Sequence, residues 1–335
     1  MIKSTAGYDI ENDWDKFLEH GDIDSVIRDD VKCKITNKTP KGTDIYISTK
    51  TKITYLSHPI ELYNVFWKIP TIPYYEMSEG VIKKQMKFNF SNEESLQIVK
   101  EKLENENNVE EHIITQIKNP GGRIQFKDIR KISIGLSNKD IISYRTKKKS
   151  AFYNCFVIIL RLKVDENFKE VHVKVFNTGK LEIPGIRCDM FLDKVMDLVI
   201  KLLKPLIRIK DLTCDKSKYD TVLINSNFNC GYYINREKLY DILKYEYKIN
   251  SIFDPCSYPG IQCKYIYENY KMSFMIFRTG SVLIVGKCTD PILYKIYDYI
   301  KNILEIEYPN VSVENTVPLP LPTKKKKIRK RYIYL

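Results

Sequence analysis

The chain has 335 residues, of which 43% are hydrophobic and 29% charged, and this globular composition excludes a disordered or fibrous protein. Lys and Arg outnumber Asp and Glu by 55 to 42, a net charge of +13. Seven of the positive charges lie in residues 324–331 and leave +6 for the rest. A mildly basic body with a strongly basic tail favours a polyanionic partner, with nucleic acid ahead of an anionic membrane.

Several protein classes are disfavoured by signals that the sequence lacks. No apolar run reaches about 18 residues and the N-terminus has no apolar signal core, so we expect an intracellular protein without a membrane partner. The eight cysteines form no CxxC pair and the four histidines are dispersed, so neither a metal nor a cofactor is expected. No nucleotide-binding, metalloprotease or nucleophile-elbow motif occurs, and no enzyme is predicted.

The first predicted elements are separated by polar segments. Residues 44–54 alternate and are β-branched, which predicts a strand. Ser57 and Pro59 predict the start of a short helix that runs through residue 67. Residues 91–106 have helical spacing and an acidic first turn, which predicts an amphipathic helix. A turn at 119–122 precedes short strand-like runs that extend to residue 144.

From residue 149 the same succession of elements occurs twice. The first set comprises strands over 152–164, 171–176 and 180–183 and a helix over 189–204 that ends before Pro205. The second set comprises a strand over 221–230, a helix over 236–244 capped by Asn235, strands over 260–267, 272–277 and 282–285, and a helix to residue 306 with Pro291 at its first position.

The two sets share a motif at a constant offset. Phe176 begins the pattern F-x-T-G-x5-G, and Phe277 begins the same pattern 101 residues later. The offset continues through the following helices, where Leu203 corresponds to Leu304. This favours a duplicated unit in which helices cover one face of a sheet and leave the other face free. The alternative is a common hairpin-then-helix motif that was used twice.

The free face carries an unusual set of side chains. In the strand over 221–230, Ile224 and Phe228 suit the helix side, and the opposite face receives Leu223, Asn225, Asn227 and Asn229. By the same alternation Leu283 lies beside Val285, and Met275 beside Phe277. Apolar side chains combined with asparagines fit the DNA minor groove, where apolar wedges open base steps. Taken singly, each residue is also compatible with ordinary packing.

Three stretches of the second set carry a resemblance to a known family. They are 232–239 (YYINREKL), 254–262 (DPCSYPGIQ) and 273–286 (SFMIFRTGSVLIVG), and they resemble the second repeat of the TATA-box-binding protein (TBP) family. The block at 80–90 (GVIKKQMKFNF) most resembles divergent members from large DNA viruses. The resemblance spans roughly residues 44–306.

The resemblance implies an α+β fold shaped as a saddle. Two repeats of strand–helix–strands–helix are expected to form one curved antiparallel sheet with helices on its convex face. The expected divisions are an N-terminal extension (1–43), a first repeat (44–210) with an insertion at about 90–145, a second repeat (211–310), and a proline-containing linker with a basic tail (311–335).

The resemblance also implies which residues contact DNA, since each half of the family's saddle inserts a pair of phenylalanines that kink the DNA. In the second half the implied contacts are Tyr258 and Phe277 as the pair, Met275, Leu283 and Val285 beside it, and Asn225 or Asn227 as the groove-reading asparagine. In the first half they are Phe176, Phe156 beside Cys155, and Thr49 at the asparagine position. Lys174, Glu182 and Pro184 occupy positions where apolar or hydroxyl contacts are expected, so the second half should dominate the kink.

The function implied is that of a general transcription initiation factor that binds and bends AT-rich promoter DNA through the minor groove. Its implied partners are the RNA polymerase machinery and a factor-IIB-like protein docked on residues 253–257, with Asp254 as an acidic contact. The site of action would be the host nucleus or a cytoplasmic viral factory. One alternative is a protein-interaction scaffold of the transcription machinery that uses the same duplicated fold. Another is a DNA-processing enzyme that uses the fold for positioning.

Two basic segments have more than one interpretation. Residues 145–149 either contact phosphate or form a solvated charge run. The tail at 324–331 is compatible with a nuclear-localisation-like patch, a nonspecific DNA-binding arm or a soluble terminus.

Overall fold

The structure is a computed structural model that describes residues 39–142, 152–207 and 211–314. The basic segments at 145–149 and 324–331 lie outside the described residues. The chain divides into two compact units, which we call the first unit (residues 49–223) and the second unit (residues 39–48 and 224–314). The sequence placed the division between residues 210 and 211.

The first unit is built on an antiparallel sheet with the strand order β1-β7-β6-β5-β2-β4-β3. Its strands are β1 (Tyr46–Tyr55), β2 (Gly80–Phe90), β3 (Val109–Lys118), β4 (Phe126–Gly135), β5 (Cys155–Val164), β6 (Asn167–Phe176) and β7 (Lys180–Ile186). Four helices accompany the sheet: α1 (Leu62–Lys68), α2 (Glu93–Glu104), α3 (Asn138–Ile142) and α4 (Asp189–Ile207). Strand β1 spans the boundary of the units, and its residues from Thr49 onward belong to this one.

Two helix ends differ from the sequence prediction. Helix α1 begins after Glu61, whose carboxylate accepts a hydrogen bond from the Asn64 N–H at 3.0 Å, so the cap is not Ser57. Helix α4 continues through Pro205 to Ile207. A proline in the last turn removes one backbone hydrogen bond, and the helix ends two residues later.

The segment between β2 and β5 is folded into the same sheet. It contains α2, β3, β4 and α3, and β4 pairs with β2 on one side and with β3 on the other. The structure confirms the predicted helix as α2, and it is capped by Asn92, whose side chain accepts from the Ser95 N–H at 2.8 Å. The short strand-like runs that follow are two strands of ten residues each.

Helices α1, α2 and α4 pack on one face of this sheet, which we call its core face. Phe66 of α1 is completely buried against Phe88 of β2 and Phe156 of β5, with ring centroids 5.5 and 6.4 Å from its own. From α4, Leu192, Val195, Val199 and Leu203 are buried in the same cluster. We call the other side of the sheet, toward which the alternate strand residues point, the opposite face.

The second unit repeats the pattern on a smaller scale, with the strand order β10-β11-β12-β13-β8. Its strands are β8 (Asp220–Asn229, from Ile224 onward in this unit), β10 (Asn250–Ile252), β11 (Ile261–Tyr267), β12 (Tyr270–Ile276) and β13 (Ser281–Gly286). A separate two-stranded sheet pairs β9 (Tyr233–Ile234) with β14 (Ser312–Val313). Its helices are α5 (Arg236–Asp241, continued by a π-helical turn at Ile242–Glu246), α6 (Asp290–Ile306) and α7 (Tyr308–Val311).

The starts of α5 and α6 lie at, or within one residue of, the positions that the sequence predicted. The Asn235 side chain caps α5 by accepting from the Lys238 N–H at 3.2 Å, and α6 follows Thr289 with Pro291 in its first turn. Tyr232 fixes the far end of α6, since its hydroxyl donates to the Leu304 carbonyl at 2.6 Å. Among the residues that the structure describes, no helix is both long and apolar enough to span a bilayer.

Gly135 lies where the inserted strand β4 closely approaches the backbone of β2. Its φ is +92°, and a Cβ there would lie 2.2 Å from the Ile82 carbonyl oxygen. We expect Gly135→Ala to lower the free energy of unfolding by about 2 kcal/mol or more, because both the backbone conformation and the contact are unfavourable. Gly121→Ala, with no atom within 4 Å of the new methyl group, should change it by less than about 0.5 kcal/mol. Urea titration of both variants measures the difference, and equal midpoints would contradict the close approach.

Candidate nucleic-acid interface

The side-chain alternation predicted for β8 is confirmed. Ile224 and Phe228 belong to the core beneath the helices, whereas Asn225 and Asn227 lie on the opposite face of the sheet. Asn227 is paired with Leu283 of β13, and Leu283 is paired with Met275 of β12. Three of the predicted contact residues therefore form one row across three neighbouring strands.

A parallel row lies one step along the same strands. Asn225 is paired with Val285, which in turn is paired with Ser273. Ser273 is paired with the exposed Lys264 of β11. None of the opposite-face positions of β10–β13, or of β8 from Ile224 onward, holds an acidic side chain, so this face has no negative charge of its own to repel a polyanion.

The centre of this face is covered. Met275 is 1% exposed, Val285 6%, Asn225 7% and Leu283 8%, although Met275, Leu283 and Val285 are not part of the core cluster beneath the helices. The expectation of a face left free to solvent is therefore wrong at its centre. Asn227 and Phe277 remain partly exposed.

Tyr258 and Phe277 form an aromatic pair at one end of the face. Their ring centroids are 5.9 Å apart and their planes are inclined by 59°. Gly260 lies under both rings, and a Cβ at that position would come within 3.1 Å of each. Burial raises the pKa of Tyr258 to about 12, so its hydroxyl is neutral at physiological pH and lies 3.4 Å from the Met275 sulfur. The pair predicted from the sequence is thus present as a contacting unit.

The loop that carries Tyr258 is held by local hydrogen bonds. The Asp254 carboxylate accepts from the Cys256 N–H at 3.0 Å, and the Asp254 carbonyl accepts from the Tyr258 N–H at 2.9 Å. Hydrogen bonds from Ser257 and from the Cys256 N–H lower the pKa of Asp254. The guanidinium of Arg236 donates to the Pro259 carbonyl and lies over the Phe253 ring. Asp254 is exposed, and this leaves its charge accessible on an ordered loop.

In the first unit the structure separates two residues that the sequence grouped together. Phe176 is half-buried on the opposite face, where it is paired with Cys155. Phe156 is 0% exposed in the core beside Phe66. The prediction that Phe156 contacts DNA is therefore wrong, because β5 turns this side chain toward the helices. Thr49 of β1 lies on the opposite face, half-buried.

The structure brings forward a residue that the sequence analysis missed. Gly260 lies across from Phe277 and follows Tyr258 by two residues, and Cys155, paired with Phe176, follows Tyr153 by two residues. Tyr153 is therefore the positional counterpart of Tyr258. It is 59% exposed, and the Lys87 ammonium lies 3.4 Å from its ring centroid. Residue spacing alone does not find Tyr153, because 19 residues separate Tyr258 from Phe277 whereas 23 separate Tyr153 from Phe176. The strand pairing of Phe176 with Cys155 is the signal that finds it.

Lys174 and Glu182 form a salt bridge on the opposite face of the first unit. Their side chains are only 10% and 13% exposed, and the two residues are paired across β6 and β7. The glutamate that the sequence placed unfavourably toward DNA is thus neutralised by its cross-strand neighbour.

Within the described residues, no group of three or more His, Cys, Asp or Glu side chains is arranged to hold a metal ion. In the second unit the candidate interface consists of aromatic, apolar, amide, hydroxyl and cationic groups.

Comparison with known proteins identifies a viral protein that resembles this chain in sequence. A protein of Acanthamoeba polyphaga mimivirus named TATA-box-binding protein-like is 29% identical over 203 residues. The predicted resemblance to the TATA-box-binding protein family is confirmed. The match covers 53% of this chain and 55% of the relative, so the chain spans about half the length of the curated protein that it matches. No family model matches the chain.

One solved structure, TBP of Methanococcus jannaschii, overlaps 80% of this chain and 99% of its own. The identity is 14% and the TM-score 0.41, and the overlap supports no conclusion about the site.

The contrast between Phe156 and Tyr153 can be measured by stability. We expect Phe156→Ala to lower the free energy of unfolding by about 3–5 kcal/mol, because it empties a closed part of the core. Tyr153→Ala removes a mostly exposed ring and should lower it by less than about 1 kcal/mol. Denaturant unfolding of the two variants checks this, and a small loss for Phe156→Ala would show that its ring is not in the core.

Proposed function

We propose that the protein is a TBP-like transcription initiation factor that binds AT-rich duplex DNA through the minor groove and bends it. The observation that carries the proposal is the contact between Tyr258 and Phe277 at the end of a sheet face that bears apolar and asparagine side chains but no acidic ones. The mimivirus relative's name, TATA-box-binding protein-like, agrees with this function.

The energetics favour flexible, AT-rich steps. Partial unstacking costs a few kcal/mol per base step, and smooth bending of a short site costs about 1–6 kcal/mol. Each aromatic ring that stacks on a base returns about 1–3 kcal/mol. Pyrimidine–purine steps such as TA deform most easily, so the net balance is best there. Asn227, partly exposed in the row that contains Met275 and Leu283, would contact base edges, and Asn225 would do so in the neighbouring row.

The burial of the centre of the second unit's opposite face determines the order in which its side chains contact DNA. Tyr258 and Phe277 are partly exposed and can meet DNA first. Met275, Leu283 and Val285 are at most 8% exposed, so they contact the groove only after the face opens. The apparent affinity for DNA is then the intrinsic affinity multiplied by the fraction of molecules in which the face is open.

The first unit contributes less to the kink. Its counterpart aromatics are Phe176 and Tyr153, and each has a lysine ammonium over its ring. Thr49 replaces the groove-reading asparagine. The Lys174–Glu182 pair adds no net charge to this face.

The ordered loop around Asp254 is the proposed docking point for a factor-IIB-like protein, which would connect the complex to the RNA polymerase machinery. Its exposed carboxylate, charged at neutral pH, suits a basic partner surface. Such a factor acts inside the host cell, in the nucleus or in a viral factory, and neither a cofactor nor catalysis is part of the proposal.

A second candidate function is a protein-interaction scaffold of the transcription machinery. The internal Lys174–Glu182 pair and the covered centre of the second unit's face favour it, since both reduce the groups available to DNA.

The two functions are separated by removing the aromatic pair. We expect Phe277→Ala and Tyr258→Ala each to weaken binding to an AT-rich duplex by roughly 5- to 150-fold, the equivalent of one lost stacking contact, and to abolish the bend. Energy transfer between dyes at the two ends of the duplex measures both effects. Tyr294→Ala, an exposed tyrosine on α6, is the matched control and should bind and bend as the unaltered chain does.

A GC-rich duplex at two salt concentrations completes the experiment. Weak, strongly salt-dependent binding of both duplexes without any bend would overturn the proposed function and favour the scaffold. Bending that persists in Phe277→Ala would show that the aromatic pair is not the wedge.

A further inference from the structure

The opposite face of the first unit carries a row with two lysines and a histidine that continues from Phe176. Phe176 is paired with Cys155, and because Met86 is paired with Phe156, the next residue, Lys87, lies beside Cys155. Lys87 is paired with Lys131 of β4, and Lys131 with His112 of β3. One straight row therefore leads from Phe176 on β6 through four further strands, β5, β2, β4 and β3, and ends at His112.

The last three residues of that row, Lys87, Lys131 and His112, form what we call the basic strip. All three are half-buried on the sheet surface. Neighbouring strands lie about 4.8 Å apart, so the strip is about 10 Å long. A DNA duplex carries about six phosphate charges over that length of its axis. The dimensions of the strip suit contact with two or three phosphates of one strand.

The strip is electrostatically unfavourable in the isolated protein. Two lysines directly opposite each other in neighbouring strands repel, and neither Lys87 nor Lys131 forms an ion pair with the described residues. Burial, and next Lys83, lower the pKa of Lys131. Lys83 itself is 2.8 Å from Asp140, and the nearest carboxylate along β3, Glu110, is opposite Ser133.

The core faces of the same strands are arranged differently. Lys84 donates to the Ile69 carbonyl at 2.9 Å and to Glu106 at 3.3 Å. Arg130 is held by Asp128 at 2.7 Å and by Glu111 at 2.9 Å. The cations of β2 and β4 that point toward the core are thus paired with carboxylates, whereas no carboxylate among the described residues forms an ion pair with Lys87 or Lys131. That pattern is expected where the counter-charge comes from a ligand.

We infer that the inserted strands extend the DNA-binding surface and that Lys87, Lys131 and His112 bind the phosphate backbone of the duplex beyond Phe176. The inference rests on the proposed function, because it adds contacts to the same DNA. Tyr153, stacked against Lys87, lies at the junction between wedge and strip. The strip adds affinity and footprint length without sequence preference, since phosphate contacts carry no base information.

The test compares two double variants with the same loss of charge. Lys87→Gln/Lys131→Gln removes the strip, and Lys100→Gln/Lys201→Gln, on exposed positions of α2 and α4, is the control. Affinity is measured against salt concentration on an AT-rich duplex with ten additional base pairs on each side. Loss of two phosphate contacts should reduce the slope of log K against log salt by about 1.8. The control should keep the slope of the unaltered chain.

Two further readouts make the result specific. In the strip variant the hydroxyl-radical footprint on the DNA should shorten, and it should do so on one side of the site. In the control variant the footprint should keep its length. On a duplex trimmed to the AT-rich element, the strip variant and the control should bind alike.

Thermal unfolding should show the strip variant at least as stable as the unaltered chain, because a repulsive pair has been removed. If it does not fold, Lys87→Arg/Lys131→Arg keeps both charges and should retain slope and footprint.

The outcomes separate the two proposals. If the unaltered chain bends the duplex but the strip variant keeps its slope and footprint, the basic strip is overturned and the proposed function stands. If the unaltered chain does not bend the duplex, both are overturned. A slope change on single-stranded RNA but not on the duplex would also overturn the inference.

Discussion

The two-residue alternation of side chains along paired antiparallel strands is the constraint on which the candidate interface depends. It sends Ile224 and Phe228 into the core and Asn225 and Asn227 to the other side. The registry of the strands then aligns these asparagines with Val285 and Leu283. A slip by one residue would exchange the two faces completely. The burial of the core side chains under α5 and α6 therefore fixes the composition of the interface as firmly as it fixes the fold.

The same constraint explains how charges are tolerated in this sheet. Where a charged side chain points to the core, the fold supplies a partner, as Glu106 does for Lys84, and Asp128 for Arg130. On the opposite face of the first unit, Lys174 and Glu182 neutralise each other, whereas Lys87 and Lys131 form no ion pair with the part of the chain that the structure describes. Partial burial makes an uncompensated charge costly. Partial burial without an ion pair is what distinguishes Lys87 and Lys131 from the solvated lysines of the helices.

The sequence was most informative where a local signal specified the structure. Helix α6, with Pro291 in its first turn, and the alternation of β8 followed from residue types alone. The length of β3 and β4 did not, because their pattern is interrupted by charged residues whose partners, such as Glu111 and Arg130, are distant in sequence. Phe156 was misplaced and Tyr153 missed for a related reason. Residue identity suggested the phenylalanine, but only the pairing of Cys155 with Phe176 fixes which neighbour lies on which face.

Among the described residues, the inserted strands occur in only one of the two units. The sheet order of the second unit ends at β10, a strand of three residues, whereas in the first unit β4 and β3 lie beyond β2. TA-rich DNA is nearly the same when read from either strand, because the minor groove scarcely distinguishes A·T from T·A. A DNA-binding protein whose two units were alike would therefore bind it equally well in either orientation. A cationic extension on one side makes those orientations unequal whenever the flanking sequences differ in stiffness or groove width. If the protein binds DNA as proposed, an insertion in one unit alone would give the complex a polarity.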